Sequence, residues 1–198
     1  MDDTFLTLKE DSESIYKEKG SKFLAFAYPV DHEEDIKEKL DALRKKYYDA
    51  RHHCYAYMLG KDQTQFRAND DGEPNHSAGD PILGQIRSYN LTNVLIVVVR
   101  YFGGVKLGVG GLISAYKTAA SYAIEENEII TAIVTQKIQF QFEYLDMNEV
   151  MRLIKDYELE IITQDFDNTC HMKLRVREGV LPEVLAKMED IPSVKMAP

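Results

Sequence analysis

Three polar stretches of this sequence combine charged, histidine and glycine residues that could bind an anion or a metal ion. They are residues 49–54 (DARHHC), the acidic loop at residues 70–77 (DDGEPNHS) and the glycine loop at residues 100–111 (RYFGGVKLGVGG). In the glycine loop, an apolar run ends in Arg100 and the glycines lead into a helical pattern. Because the first N–H groups of a helix are unpaired, such a loop can hold an anion. Lys106 and Lys117 would add positive charge there.

The glycines of this loop have a second explanation, which the sequence leaves open. Glycine also serves turns that need positive φ and places where a helix packs closely on a sheet. The loop lacks the Gly-Lys-Ser/Thr of a P-loop, and Ile113 stands where a dinucleotide-binding motif needs its third glycine. The pattern therefore favours an anion site without identifying the anion.

A metal site and a nucleophile are weaker interpretations of the same stretches. The acidic loop offers carboxylates and His76, yet no segment has an established metal-ligand spacing. His52 and His53 are adjacent in a predicted strand, so they point to opposite faces and at most one joins any single site. Cys54 inside the strand is expected to be an inert thiol. We expect no catalytic residue, no metal and no cofactor.

We therefore expect a binding site made from the three polar stretches and the helix that follows them. Arg51, Asp71, Glu73 and Arg100 are predicted to meet in one polar cleft, because each ends or follows a strand. The candidate ligand- or nucleic-acid-binding residues are Arg51, His53, Asp70, Asp71, Glu73, His76, Arg100, Tyr101, Gly103, Gly104, Lys106, Gly108, Gly110, Gly111 and Lys117.

The elements that would position these residues are predicted from hydrophobic periodicity and turn residues. The first part of the chain gives a hairpin, two further strands, a buried strand before the glycine loop, and three helices. The predicted strands are residues 14–19, 22–28, 52–59, 65–69 and 94–100, and the predicted helices are residues 33–48, 81–89 and 110–126.

The remainder of the chain has its own alternating pattern, so we predict a boundary between residues 134 and 135. KIQFQFEY at residues 137–144 is typical of a half-buried strand. The predicted order βαββαβ is that of a ferredoxin-like domain. Its strands are residues 137–144, 160–164, 170–176 and 191–196, and its helices are residues 146–157, with Asp146 as N-cap, and 179–188, with Pro182 in the first turn.

Composition limits the function classes. The net charge of −9 over 198 residues argues against a general nucleic-acid binder, which is usually basic. However, residues 81–124 contain no Asp or Glu and do contain Arg87, Arg100, Lys106 and Lys117, so one face could still attract phosphate. The N-terminus lacks a signal-peptide pattern and no apolar run is long enough to span a membrane. We expect a cytoplasmic protein without membrane contact.

The polar stretches, in this order and spacing, resemble the IMPACT family, whose bacterial members are YigZ-like proteins. The resemblance covers roughly residues 15–125. It rests on Lys19–Phe23 (KGSKF), Asp49–Cys54, Asp70–Pro74, Ala78-Gly79, Leu91–Asn93 and, above all, Arg100–Leu112 (RYFGGVKLGVGGL). The sequence departs from the family pattern at Asn75-His76-Ser77, where many members have a small residue, Gly and Thr, and at Ser114, where many have Arg.

The resemblance implies an α+β protein of two domains. The first, residues 1–134, would be similar to the second domain of a small-subunit ribosomal protein and to domain IV of elongation factor G. The second, residues 135–198, would be similar to the ferredoxin-like domain V of that factor. Eukaryotic family members regulate translation through the amino-acid-starvation kinase pathway and carry an extra N-terminal domain. We do not expect that particular role to carry over to this sequence.

From these observations we expect a non-enzymatic regulator of translation that binds RNA, the ribosome or another polyanion through the basic glycine loop. One alternative is an enzyme that holds a nucleotide or phosphate in the same loop. A second alternative is a protein–protein adaptor, in which a regulatory protein is the partner and the polar stretches only stabilise the domain. The ligand, the partner and the oligomeric state are not determined by the sequence.

Overall fold

A computed structural model describes residues 3–197, which form two compact units. Residues 5–132 make up the first unit, and residues 3–4 with 133–197 make up the second. No helix within residues 3–197 is long and apolar enough to cross a membrane.

The strands are β1 Thr4–Leu8, β2 Ser12–Glu18, β3 Ser21–Pro29, β4 His52–Leu59, β5 Gln65–Asn69, β6 Val94–Tyr101, β7 Ile129–Ile133, β8 Thr135–Phe142, β9 Glu160–Phe166, β10 Cys170–Arg177 and β11 Lys195–Met196. The helices are α1 Glu33–Lys46, α2 Gly79–Ser88, α3 Gly108–Glu125, α4 Met147–Asp156 and α5 Leu181–Glu189.

The first unit is built on a five-stranded sheet in the order β2-β3-β6-β4-β5. Every neighbouring pair in this sheet is antiparallel. The central strand β6 is buried from Val94 to Arg100, because helices cover both of its faces. Side chains of α2 and α3 pack on one face, and Ile36, Leu40 and Leu43 of α1 pack on the other. The predicted hairpin, strands and helices of this unit are confirmed.

The second unit is a four-stranded antiparallel sheet in the order β11-β8-β10-β9. The alternation predicted for β8 is confirmed, since Ile138, Phe140 and Phe142 are buried and their neighbours are not. These side chains pack with Val150 and Val184, which come from α4 and α5 respectively. The mixed architecture of helices and separate sheets is therefore confirmed.

Three details of the sequence prediction are wrong. The last strand is only Lys195–Met196, not residues 191–196. Asp146 occupies the N-cap position of α4, but its carboxylate accepts hydrogen bonds from the backbone N–H and the hydroxyl of Ser193, so it caps no helix N–H group. Strands β1 and β7 were not predicted; they pair with each other in a separate two-stranded sheet.

Candidate functional site

The three polar stretches meet at one end of the five-stranded sheet, as predicted from their places at strand ends. Residue His52 at the start of β4 lies opposite Arg100 near the end of β6. Strand β5 pairs with β4 as far as Asn69, so the acidic loop that follows is brought beside the same strand. The side chain of Glu73, within that loop, reaches Arg100.

Arg100 and Glu73 form a buried ion pair at the centre of this region. The Arg100 Nη1 lies 2.6 Å from Glu73 Oε1, and the two residues are only 5% and 8% exposed. The Tyr116 hydroxyl donates to the same carboxylate oxygen at 2.7 Å, and Arg100 Nη2 donates to Ser21 Oγ at 3.4 Å. The Cys54 thiol donates to the Tyr116 hydroxyl. We call these five residues the Arg100 cluster.

Burial determines the chemistry of the Arg100 cluster. Removal from water raises the pKa of the Cys54 thiol and of the Tyr116 hydroxyl far above their ordinary values, so both stay protonated. A protonated thiol is a poor nucleophile.

The guanidinium of Arg100 lies between the rings of Phe23 and Phe102, 5.5 Å and 5.7 Å from their centroids. Its Nε is buried and has no hydrogen-bond partner within residues 3–197.

The two aspartates of the acidic loop are hydrogen-bonded within their own domain. Asp70 Oδ1 accepts from the N–H groups of Ala78 and Gly79, at 3.1 and 2.8 Å, and its Oδ2 accepts from His76 N–H at 2.9 Å. Asp70 thereby binds the start of α2, where a carboxylate is favourable. Asp71 Oδ2 accepts from the backbone N–H of His53 at 2.7 Å.

The adjacent histidines point to opposite faces of the sheet, as predicted. The His52 ring contacts the Asp71 carbonyl oxygen through Nδ1 at 2.8 Å, and its Nε2 lies 3.8 Å from Glu73 Oε1. The His53 ring instead contacts the Tyr47 carbonyl oxygen on the α1 side, where burial lowers its pKa. His52, absent from the predicted site, is thus the histidine whose ring faces the Arg100 cluster.

Among the predicted site residues outside the Arg100 cluster are Arg51, Tyr101 and His76. Arg51 is exposed and forms no ion pair within the described part of the chain, and its place in the predicted cleft stays a prediction. The Tyr101 hydroxyl donates to Asp49 Oδ1 at 2.7 Å, and burial together with this bond raises its pKa to about 12. His76 is exposed and bonds to Asp80 at 2.6 Å.

The glycines of the glycine loop divide into two kinds. A Cβ on Gly103 would lie 2.0 Å from the carbonyl carbon of Gly20, so this glycine permits close contact with the β2–β3 turn. Around Gly104, Gly108 and Gly110, by contrast, a Cβ would meet no atom of the described residues within 4 Å apart from its chain neighbours and its own helix backbone. Gly104 and Gly108 have φ of +88° and +73°, which favours glycine, but Gly110 has no such constraint.

The start of α3 is the exposed part of the glycine loop, with Lys106 just before it and Lys117 in the third turn of the helix. The helix begins at Gly108 and has no acidic residue in its first turn. Lys106 and Lys117 are exposed, and neither forms an ion pair with any residue that the structure describes. We call Lys106, Gly108, Gly110 and Lys117 the lysine face. Unpaired N–H groups at the helix start, open space beside Gly108 and Gly110 and the exposed ammonium group of Lys106 suit an anion, and Lys117 adds positive charge further along the helix.

Sequence reasoning missed Ser21, Cys54 and Tyr116 as partners of Glu73 and Arg100. Only Tyr116 carried a usable signal, because a tyrosine on the apolar face of a helix needs a partner for its hydroxyl. Residues 3–197 include no group of three or more His, Cys, Asp or Glu placed to hold a metal ion. The structure thus brings the charged residues into two settings, the buried Arg100 cluster and the exposed lysine face.

Comparison with known proteins places the polar stretches in a family. The model of the Impact N-terminal domain matches residues 19–124. An IMPACT family member of Haemophilus influenzae is 32% identical over 165 residues, which cover 82% of this chain and 80% of that protein. The IMPACT family member YigZ of Escherichia coli is 30% identical over 174 residues, covering 87% and 85%.

Solved structures give a consistent result. A crystal structure described as that of a hypothetical protein has a TM-score of 0.75 and 28% identity, covering 99% of this chain and 97% of that one. A structure described as the two-domain translational regulator Yih1 covers 62% of this chain at 27% identity. Its TM-score of 0.36 is too low for the folds to be compared.

Proposed function

The chain belongs to the IMPACT family, and from that membership we propose that it is a regulator of translation. We further propose that the protein acts without catalysis, by binding RNA, the ribosome or another polyanion. The sequence resemblance supports a role in translation, because it implies domains similar to those of a ribosomal protein and of elongation factor G; the kinase pathway of the eukaryotic members is not part of the proposal. We also propose that it works in the cytoplasm.

The proposed domain types fit this role. We assign residues 1–134 to an IMPACT-type domain similar to domain IV of elongation factor G, and residues 135–198 to a ferredoxin-like domain. The strand order β11-β8-β10-β9 supports the second assignment, because the first strand of that unit lies between its third and fourth strands. Fold similarity alone is a weak guide to function, so the site must carry the argument.

The observation that carries the proposal is the lysine face. Lys106 and Lys117 are exposed cations without a carboxylate partner among the described residues, and Gly108 and Gly110 leave open space at the start of α3. Contacts to phosphate come largely from lysine, arginine and helix N-termini. Exposed Arg51 lies in the same domain and adds a further cation.

The other candidate residues have supporting roles in this proposal. Arg100, Glu73, Asp70 and Asp71 are positioning residues, because their charges are already used in contacts inside the domain. Gly103 joins the glycine loop to the β2–β3 turn. The charge available to a ligand is therefore smaller than the sequence suggests, which agrees with an acidic protein binding phosphate through few contacts.

The test measures binding of a fluorescein-labelled oligouridine by fluorescence anisotropy at several salt concentrations. Two lysine–phosphate contacts predict a slope of log affinity against log salt of about −1.4, since each contact on a single strand adds about −0.7. Lys106→Glu is expected to abolish binding and leave the fold intact. Lys137→Glu, an exposed lysine of the second unit, is the matched control and should bind normally.

The same experiment separates the alternatives. If oligouridine does not bind and a fluorescent ATP analogue binds the unmodified protein but not Lys106→Glu, the nucleotide-binding alternative replaces the proposal. If Lys106→Glu binds oligouridine as tightly as the unmodified protein and salt has no effect, phosphate contact through this face is wrong. The adaptor alternative would then be the better explanation of the polar stretches.

A further inference from the structure

A surface of the first unit, separate from the lysine face, lies along the edge strand β2. This strand ends the sheet order β2-β3-β6-β4-β5, so its outer side has no neighbouring strand in the part of the chain that the structure describes. Within residues 3–197, the backbone groups of residues 13–17 form no hydrogen bonds besides those with β3. An unpaired edge of this kind can accept a further strand.

Beside this edge, on the face of the sheet that α1 covers only in part, lies a groove of about 500 Å³. Its apolar lining includes Ile15 and Leu24, which are cross-strand partners, and Phe102. Ile15 is 60% exposed and Phe102 is 47% exposed. Exposed apolar side chains gathered in a concave surface are typical of a contact site for another apolar group.

The charged residues along β2 differ between its two ends, with lysines at one end and glutamates at the other. Lys17 lies directly opposite Lys22 on the groove face, and neither has a carboxylate partner within the described residues. Asp49 also lines the groove, but its carboxylate accepts from the Tyr101 hydroxyl and forms no ion pair with either lysine within the described residues. Like charges placed directly opposite each other are destabilising, so an added carboxylate would be favourable beside Lys17 and Lys22. At the other end of β2, Glu13 lines one surface with Glu125 and Glu126 and another with Lys46 and the ion pair of Lys39 and Asp11, so carboxylates outnumber lysines there. Ile15 stands between the two ends.

We propose that the β2 edge and this groove bind an extended peptide of another protein. The peptide would pair its backbone with β2 and place alternate side chains on the groove face, about 7 Å apart. The complementary order is a basic residue beside Glu13, an apolar residue beside Ile15 and an acidic residue beside Lys17. A backbone partner is favoured over RNA, because only a polypeptide satisfies the N–H and C=O groups of β2.

The test uses the full chain and two labelled peptides, one containing Arg-Thr-Phe-Thr-Glu and the other the reverse order, so that both strand directions are sampled. At millimolar peptide, one of them is expected to shift the backbone amide NMR signals of β2. The Lys17→Glu, Lys22→Glu double variant should weaken its binding about tenfold or more, a change of about 1.4 kcal/mol.

Charge-swapped peptides and a matched control complete the test. A peptide with Lys in place of Glu should bind the double variant better than it binds the unmodified protein. The control is Lys37→Glu, an exposed lysine of α1 that does not line the groove, and it should bind the original peptide normally. Oligouridine binding should be the same in the double variant, since the lysine face is intact.

Several results would overturn the proposal. One is the absence of any shift in β2, and another is equal peptide affinity in the double variant. If oligouridine rather than peptide needs Lys17 and Lys22, the groove belongs to an RNA site. If sedimentation shows a dimer that Ile15→Asp dissociates, the occupant of the edge is a second copy of this chain.

Discussion

The Arg100 cluster and the lysine face are neighbours in sequence and opposites in structure. Arg100 is 5% exposed and ion-paired with Glu73, whereas Lys106, six residues later, is exposed and has no ion-pair partner in the described chain. A buried charge must be paired, since leaving it alone in a low-dielectric interior costs several kcal/mol. A cation that the fold has already paired in this way is not available to an outside anion, whereas the exposed Lys106 is.

The largest expected effect is the loss of stability on removing the cation of the Arg100 cluster. Arg100→Met leaves Glu73 buried without its partner and is expected to lower the free energy of unfolding by about 3–5 kcal/mol. Native-state hydrogen exchange of the β4 and β6 amides would measure the loss within the first unit. The double variant Arg100→Met, Glu73→Gln should recover part of it. A loss below about 1 kcal/mol would mean that Arg100 is not structural.

The two kinds of glycine provide the next largest difference. Gly103→Ala would place a Cβ 2.0 Å from a backbone carbon of Gly20, so the β2–β3 turn must shift, and we expect a loss of about 2 kcal/mol. Gly110→Ala meets open space within a helix and should gain about 0.5 kcal/mol. Thermal unfolding would measure both changes.

Oligouridine binding is a second measurement that should distinguish Gly103 from Gly110. Gly110→Ala should bind less tightly despite its greater stability, because the added methyl group fills the space proposed for phosphate. Gly103→Ala should keep its affinity at a temperature where it is folded. Tighter or unchanged binding by Gly110→Ala would remove Gly110 from the proposed face.

A smaller effect is expected from the hydroxyl of Tyr116. Tyr116→Phe keeps the ring in the core and removes the donor to Glu73, so the carboxylate loses one of its buried hydrogen bonds. We expect a loss of about 1–2 kcal/mol, measured by the same hydrogen exchange. Tyr122→Phe, at an exposed tyrosine of the same helix, is the control and should change stability by less than about 0.5 kcal/mol.

The smallest expected effect is the pH dependence of stability caused by His53, whose ring lies on the α1 face of the sheet. Burial lowers the pKa of His53, so the unfolded chain takes up a proton at a pH where the folded chain still excludes it. Stability should therefore fall as the pH drops from about 7 to about 5, below the ordinary histidine pKa of about 6.5. His53→Asn should remove part of that fall in urea unfolding. An unchanged pH dependence in this variant would contradict the assignment.

Local patterns were enough to predict the sheet strands and helices that position the site. The apolar run of β6, the helical spacing of α1 and the alternation of β8 each follow from which side chains must leave water. The pattern failed for β1 and β7, which pair with each other outside the two larger sheets. It also failed at Asp146, whose carboxylate found a tertiary partner in Ser193.

The sequence by itself determined that the three polar stretches lie at strand ends, that His52 and His53 point to opposite faces, and that the glycine loop opens a helix. Only the tertiary structure decided which charges are buried. In the sequence, Arg100 and Lys106 are both cations of the glycine loop. In the structure, the pairing of β4 with β6 places Arg100 beside the acidic loop, and the Phe102 ring lies against its guanidinium. Burial depends on contacts between residues far apart in the chain, as Arg100 and Glu73 are, and no local pattern records those contacts.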